Sequence, residues 1–473
     1  MSLNFETVSL GEHLYIKGRI GWKGLKKDEY LDQGDYRIIN ATALEEEGIN
    51  WEDCGYISKE RFEESPEIIL KNKDILISKD GTIGKLGYVK DLEMDSTVAS
   101  GIFVVRNQNE EYIDTDFLYY YFKSPFFKWF IKSVTEGSVI PHLYQRDFTD
   151  MEFNLFNLDT QKKCASILNA IEEKINVNRK INKNLEQYLF YIFNETFMNF
   201  EFNEFSHSND KIPSSWGLGT FNDIIDSLGS GDWGKDELTG NYTSEVYCIR
   251  GADIPDVKRG NKGKMPIRYI LPKNFKNKKL IKNTIVLEIS GGSPTQSTGR
   301  TVFITEDFLN RFDKDLICTN FCKVIKPLDN YEIFIYLYLN YLYNKDVMFA
   351  YENGTTGIKN FDIKSFINNF LIVIPSQKDV INFNKLVKDV FNIIMHNGLE
   401  IEKLQQLRDT LLPKLMSGEI DVSKINCDLK NIIKNFIKKF KCILSKYLYE
   451  TKIISKIINY SKFLFSWILT SIR

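Results

Sequence analysis

Cysteine and histidine are scarce in this chain, with seven of the first and four of the second among 473 residues. The closest cysteines are Cys318 and Cys322, no Cys-x-x-Cys occurs, and the histidines lie far from one another. That removes the ligand spacing of a zinc or iron–sulfur site, and a few scattered thiols fit a reducing, cytoplasmic compartment. Excess charge is missing too: 62 Lys and Arg against 63 Asp and Glu leave a net charge of −1. A global field cannot draw in a polyanion, so any nucleic-acid contact must come from local patches. No run approaches the ~18 apolar residues of a membrane-spanning helix, and the opening MSLNFETVSLGEHL has no basic-then-apolar signal peptide.

Catalytic signatures are absent in the same way. Gly229, Gly231 and Gly234 spell GxGxxG, but no strand–helix–strand context surrounds them, and the matching stretch Gly18 to Lys23 lacks the pattern. Gly81-Thr-Ile-Gly84-Lys85-Leu86 resembles a phosphate loop only loosely. Its glycines are too close, and Leu86 stands where Ser or Thr must hold Mg²⁺. There is no serine nucleophile elbow, no Asn-Pro-Pro-aromatic tetrapeptide, no helicase motif and no nuclease carboxylate cluster.

What is present is a long helical stretch, Asp159 to Asn199, without Gly or Pro. Leu168, Ile171, Ile175, Leu185, Leu189 and Ile192 recur at a 3–4 spacing. That is the narrow seam of a coiled coil rather than the wide stripe of a helix on a globule. About 40 residues make a rod of roughly 60 Å, which needs a partner along its length. The chain supplies one between Ser376 and Met416, with Val387, Val390, Ile394, Ile401, Leu404 and Leu411. A shift of 219 residues superposes the two seams and places Asn178 on Asn397. A buried Asn in a seam costs stability and fixes register; the plainer reading is two Asn tolerated near a solvated kink. Pro413 and Gly418 bracket the expected end of the second helix.

The repeat extends beyond the helices. At a shift of 211, Phe5 falls on Trp216, Leu10 on Phe221, Trp22 on Trp233 and Tyr36 on Tyr247. KNKDILISKDGTIGKLGYV (71–89) pairs with 281–304, which puts Lys85 on Arg300; 97–106 pairs with 317–326, and 140–157 with 358–375 at a shift of 218. An ordered alignment over most of the chain means one unit used twice. Each unit is a globular domain followed by a long helix. Ile75–Ser78, Val286–Ile289, Ile102–Val105 and Phe321–Ile325 read as buried strands, and Phe117–Lys132 and Tyr331–Met348 as aromatic-rich helices. The expected fold is α+β: two tandem α+β domains (1–158 and 201–375), separated by two long antiparallel helices (159–200 and 376–420) that form a coiled coil with pseudo-two-fold internal symmetry. Residues 421–473 read as a basic amphipathic helical tail, which either packs on the body as an accessory helix or touches DNA, a partner or a membrane surface.

With no chemistry to locate, the charge distribution becomes the main functional signal. Between Val257 and Lys282 stand Lys258, Arg259, Lys262, Lys264, Arg268, Lys273, Lys276, Lys278, Lys279 and Lys282, with no acid among them. Gly260 and Gly263 are expected to leave this backbone mobile. Such a strip suits phosphate contacts, unless it is only a solvated loop. In the first domain, Lys17, Arg19, Lys23, Lys26 and Lys27 surround Trp22, while the acidic stretch Glu45 to Glu67 is expected to face away from DNA. Lys79 adds to the set. The paired cations Lys85 and Arg300 follow the Gly-rich turns and are groove or phosphate candidates, Arg300 with the geometry to grip a guanine edge bidentately. Gln145 and Arg146 are weaker candidates.

Taken together, the architecture and the strings GRIGWKGLKKDEYLDQG (18–34), DILISKDGTIGKLGYV (74–89), IPSSWGLGTFNDII (212–225) and LRDTLLPKLMSGEIDV (407–422) resemble the specificity subunit of type I restriction–modification enzymes over residues 1–425. The resemblance implies two target-recognition domains, each reading one half of a split, asymmetric double-stranded DNA target. It implies spacer helices that set the gap and dock two methyltransferase subunits, joined by restriction/translocase subunits. S-adenosylmethionine, ATP and Mg would then bind in those partners and not in this chain. The tail departs from the family's usual ending. Two other readings stand beside this one: a non-catalytic coiled-coil scaffold, and a fused type II-like restriction–modification polypeptide with its own activity.

Overall fold

The computed structural model of the protein describes residues 5–20, 24–46, 48–136, 142–149, 151–198, 212–293, 295–354 and 359–422. The expected tail, Lys23 and Trp22 lie outside them. The chain forms two compact units: one from the residues up to Glu172 and from Leu407 onward, the other from Glu173 to Gln406.

In the first unit, strand Phe5–Ser9 pairs antiparallel with Glu152–Phe156, the last strand before the long helix. A four-stranded antiparallel sheet runs in the order Leu14–Gly18, Ile102–Asn107, Ile75–Ser78, Leu86–Tyr88. A second sheet places Tyr36–Ile39 between Gly55–Ile57, antiparallel, and Ser96–Val98, parallel. Strand Ile75–Ser78 is buried at all four positions, which is why it reads as an unbroken apolar run. Its side chains alternate between two cores. Ile75 and Ile77 join the core that holds Phe103, Phe117, Tyr120 and Phe122, while Leu76 joins the one that holds Val104, Ile39, Leu44 and Val98. The aromatic stretch expected as one helix is two, Thr115–Lys123 and Pro125–Thr135. Ser124 is extended at ψ 163° and Pro125 opens the second helix, because the residue before a proline is pushed out of the helical region.

The second unit repeats this plan. Gly217–Thr220 pairs with Leu371–Ile374. The four-stranded sheet runs Ile225–Ser230, Cys322–Pro327, Thr284–Glu288, Thr301–Ile304. The three-stranded sheet again joins one antiparallel and one parallel neighbour to its central strand, Ser244–Ile249. Single hydrogen bonds recur. Ser78 N donates to Lys85 O and Glu288 N to Arg300 O, each at 2.9 Å, so Lys85 and Arg300 are equivalent. Two alignment shifts need correcting. Arg37 N donates to Asp95 O as Tyr247 N donates to Asp315 O; Arg37, not Tyr36, therefore matches Tyr247, a shift of 247 − 37 = 210. Likewise Ser9 faces Glu152 where Thr220 faces Leu371, a shift of 371 − 152 = 219 instead of 218. Strand Leu371–Ile374 is apolar at every position while Glu152–Phe156 alternates, so side chains alone do not fix the register between those two.

The long helices are Leu158–Phe193, ending in a π-helical turn at Asn194–Met198, and Gln377–Met416. The second includes Pro413 and ends at Met416, between Pro413 and Gly418 as expected. Ser417 N bonds to Pro413 O, and Gly418 turns the chain at φ 75°. Pro413 forgoes the amide bond it would otherwise make to the Asp409 carbonyl, and the helix still continues for three residues. Ile171, Ile175, Leu189, Val390, Ile394 and Ile401 are buried, while Leu185 and Leu404 are half-buried. Contacts in both units are antiparallel. In the first unit, Cys164 reaches Leu415 O and Arg408 Nη1 meets Glu172 at 3.0 Å. In the second, Asn178 Nδ2 donates to Glu400 Oε2 at 2.8 Å and Asn397 Nδ2 to Asn182 Oδ1 at 2.8 Å. Both expected seam Asn are buried, but each has a different polar partner. Asn182, missed in the sequence, carries the larger share: its Nδ2 also donates to the carbonyls of Arg259 at 3.0 Å and Ile394 at 3.1 Å.

Replacing Asn182 with alanine strands the Asn397 amide and removes both carbonyl bonds. A loss of about 2 kcal/mol is expected in chemical denaturation, with Asn182→Gln recovering part of it; a variant as stable as the parent would show that the seam does not rely on this group.

Candidate nucleic-acid interface

The basic strip of the second domain is structured, not a mobile loop. It holds helix Ile254–Lys258, strand Ile267–Ile270 and helix Pro272–Lys278. Its glycines serve packing. Gly260 adopts φ 84°, and a Cβ there would sit 2.4 Å from the Ile394 carbonyl; a Cβ on Gly398 would sit 1.7 Å from the Gly260 carbonyl. The strip is thus pressed against the second long helix, within its own unit. Arg311 donates to Gly260 O and to Glu402 Oε2, the latter at 2.7 Å.

That seating removes several cations from the proposed contact set. Lys258 donates to Asn340 Oδ1 at 2.9 Å, lies 5.3 Å from the Phe190 ring centre and lines a small cavity with Glu186, Tyr336 and Phe391. Burial holds its ammonium below the usual lysine range and pushes the Glu186 carboxyl up. Arg268 is buried against Asp236 and the Trp233 ring. Lys262 lies over the Phe312 ring at 4.8 Å and 4.0 Å from Glu402. Lys278 donates to Gly231 O at 2.7 Å; Lys279 and Lys282 pair with Asp315 and Glu306. Arg259, Lys264, Lys273 and Lys276 keep exposed side chains, as do Lys279 and Lys282 with their surface ion pairs.

Arg300 also needs correcting as a base reader. Its Nε and Nη2 already grip Glu288 at 2.7 and 2.5 Å, and that hydrogen-bonded carboxylate raises its pKa above the usual arginine value. Glu288 is buried and stands where the first domain has Ser78, so the cation answers a buried charge. Lys85 faces no such acid; its Nζ donates to Ala41 O at 3.2 Å and its amide to Ser78 Oγ at 2.8 Å. In the first domain Arg19 is buried, donating to Val98 O, Ser65 Oγ and Thr97 Oγ1, and desolvation lowers its pKa. Lys26 is exposed. Lys79 lies 5.1 Å from the Phe103 ring centre. Arg146 is exposed and stacks over Tyr144 at 4.9 Å, and Tyr144 packs on His142 at 4.5 Å. The GxGxxG run is structural: a Cβ at Gly231 would collide with Thr319 O at 1.9 Å. Among the described residues no His, Cys, Asp and Glu cluster is placed to hold a metal, and no helix is long and apolar enough to cross a membrane.

Glu288→Ala leaves the Arg300 guanidinium without its buried partner. A cost of about 3 kcal/mol is expected in urea unfolding. The double variant Glu288→Ser with Arg300→Lys imports the first domain's pair and should lose clearly less; equal losses would mean that the ion pair is incidental.

Residues 3–187 match the family model described as the type I restriction modification DNA specificity domain. Relatives include the type I restriction enzyme MjaIX specificity subunit of Methanocaldococcus jannaschii, 27% identical over 66% of this chain and 70% of its own. The MjaVIII specificity subunit of the same organism is 24% identical over 89% of this chain and 94% of its own. A crystal structure of the S subunit of a type I restriction-modification system from M. genitalium shares the fold, with a TM-score of 0.52, 16% identity and coverage of 87% of this chain and 96% of that one. The matched segment contains the first domain and most of the first long helix, and the second domain repeats its hydrogen-bonded plan.

Proposed function

We propose that this chain is the sequence-specific DNA-binding specificity subunit of a type I restriction–modification complex, reading a bipartite, asymmetric double-stranded target. The observation that carries this reading is the duplication itself. One domain is built twice with the same backbone hydrogen bonds, yet carries different side chains where strands leave the core, as with Asp80 and His142 against Ser290 and Asn360. Two readers of one design but unlike surface call for two unlike half-sites. Joining them in one chain makes the second contact intramolecular, so modest affinities multiply. Arg259, Lys264, Lys273, Lys276, Lys26 and Arg146 are the exposed cations assigned to phosphates, which position the protein without reading sequence. Lys79 and Lys85 are assigned to phosphate contacts of the first domain.

The chain supplies no chemistry of its own on this reading. Two methyltransferase subunits dock on the spacer helices and carry S-adenosylmethionine; restriction/translocase subunits carry ATP and Mg. Spacer length sets the gap between half-sites.

Methylome sequencing of a host expressing this chain with its methyltransferase subunit should reveal a new modified motif in two unlike halves with a fixed gap, absent when only this chain is omitted. Inserting one turn of about four residues into either long helix should change the gap and keep both halves; altered halves would refute the spacer role, and no motif from a soluble, assembled complex would refute the reading as a whole. Lys264→Ala with Lys276→Ala should weaken binding evenly across sequences and reduce the slope of log affinity against log salt by about 2.

A further inference from the structure

In both domains the central buried strand ends at the same structural step. Lys79 N donates to Gly101 O and Leu143 N to Lys79 O in the first; Ile289 N donates to Phe321 O and Phe361 N to Ile289 O in the second. The next residue on one side, and the preceding residue on the other, form a pair of neighbours at the surface: Asp80 with His142, and Ser290 with Asn360. A glycine with positive φ follows in each, Gly81 at 65° and Gly291 at 143°. The backbone is kept and only the pair differs. In the first domain His142 Nδ1 donates to Asp80 Oδ1. In the second Ser290 Oγ donates to Asn360 Oδ1 at 2.8 Å, and the two residues are paired across strands. Both pairs reach solvent: Asp80 is 48% and His142 27% exposed, and Asn360 is exposed.

We propose that these two pairs are specificity-determining residues, each reading one base pair of its own half-site; the inference rests on the DNA-reading function proposed above. The chemistry differs in a defined way. With Nδ1 committed to a carboxylate, Nε2 is the ring atom left for a base, and the remaining Asp80 oxygen is an acceptor beside it, so the first pair is built around a carboxylate acceptor. Acceptors suit the exocyclic amine of cytosine in the major groove. With Ser290 bonded to its Oδ1, Asn360 keeps both Nδ2 protons for donation, and the Ser290 and Asn360 oxygens keep lone pairs. A donor beside an acceptor suits the N7 and N6 edge of adenine. Lys79 and the stacked Tyr144 and Arg146 lie beside the first pair, which supplies phosphate attraction beside the reading group.

The test exchanges the pairs within the assembled methyltransferase complex: Ser290→Asp with Asn360→His in one variant, and Asp80→Ser with His142→Asn in another. Each complex is selected against a randomised bipartite DNA library, and its melting temperature is recorded. The expected result is a changed or relaxed preference at one base pair of the altered domain's half-site, roughly a 10-fold shift in discrimination, with the other half-site unchanged. Unaltered preferences in both halves overturn the proposal. So does an equal loss across both halves, which marks a structural role. A wild-type complex that selects no bipartite motif would instead refute the underlying function, so the two failures are distinguishable.

Discussion

The second unit depends on a polar seat where an apolar one would be the simpler solution. Asn182 lies in the seam of the long helices and bonds at once to Asn397, to the Ile394 carbonyl and to the Arg259 carbonyl of the basic strip. Three segments meet at one amide, and Gly260 and Gly398 let the backbones approach closely enough for it. A leucine seam tolerates sliding by a turn, because each apolar layer resembles the next. A buried amide has its partners in one register only, so it fixes where the strip, and the domain that carries it, joins the helix.

Inside each domain the fixed quantity is the backbone ladder. Strands Ile75–Ser78 and Thr284–Glu288 are buried throughout, and their side chains leave no room for polar variation without a partner. Glu288 shows the consequence: one buried acid requires Arg300, and the cation is consumed by the fold. Variation without a stability penalty is available only where the strand emerges, at Asp80 and at Ser290. That separation of constant scaffold from variable surface is what a protein needs if its target is to change while its fold does not.

Much of the architecture was legible in the sequence. The 3–4 seam from Leu168 to Ile192 and its copy 219 residues on gave the helices and their pairing, because one dominant period survives over some 40 residues. The strands at Ile75 and Ile102 stood out as apolar runs bounded by turn residues. The candidate site was much less legible. Counting lysines and arginines cannot show that Arg19, Lys258, Arg268 and Arg300 are spent on internal carbonyls, carboxylates and amides, since their partners lie 12 to 82 residues away. Asp80 and His142 are 62 residues apart and have no spacing signature; only the repeat, aligned to the residue, brings out their correspondence with Ser290 and Asn360. The sequence alignment sets Asp80 on Ser290 and His142 on Asn360, but it does not show that the two members of each pair touch.

The same bookkeeping bears on which piece of the chain acts as a reader. Lys258 faces Glu186, Arg311 holds Glu402, the Arg259 carbonyl takes the Asn182 amide, and Gly260 lies on Gly398. In every case one partner is on the second domain and the other on a long helix of the same unit. The first unit makes an unlike set, with Lys123 and Arg408 converging on Glu172 beside Tyr119 and Tyr120. Moved onto the other unit's helices, a domain would meet an apolar Leu189 where Arg408 belongs, or a cation where Leu189 belongs, as the 219-residue correspondence dictates. Unpaired buried charge costs several kcal/mol. The natural unit of exchange is therefore each domain together with the helix segments that neutralise it, and the division of the chain at Glu172 and Leu407 falls inside both helices.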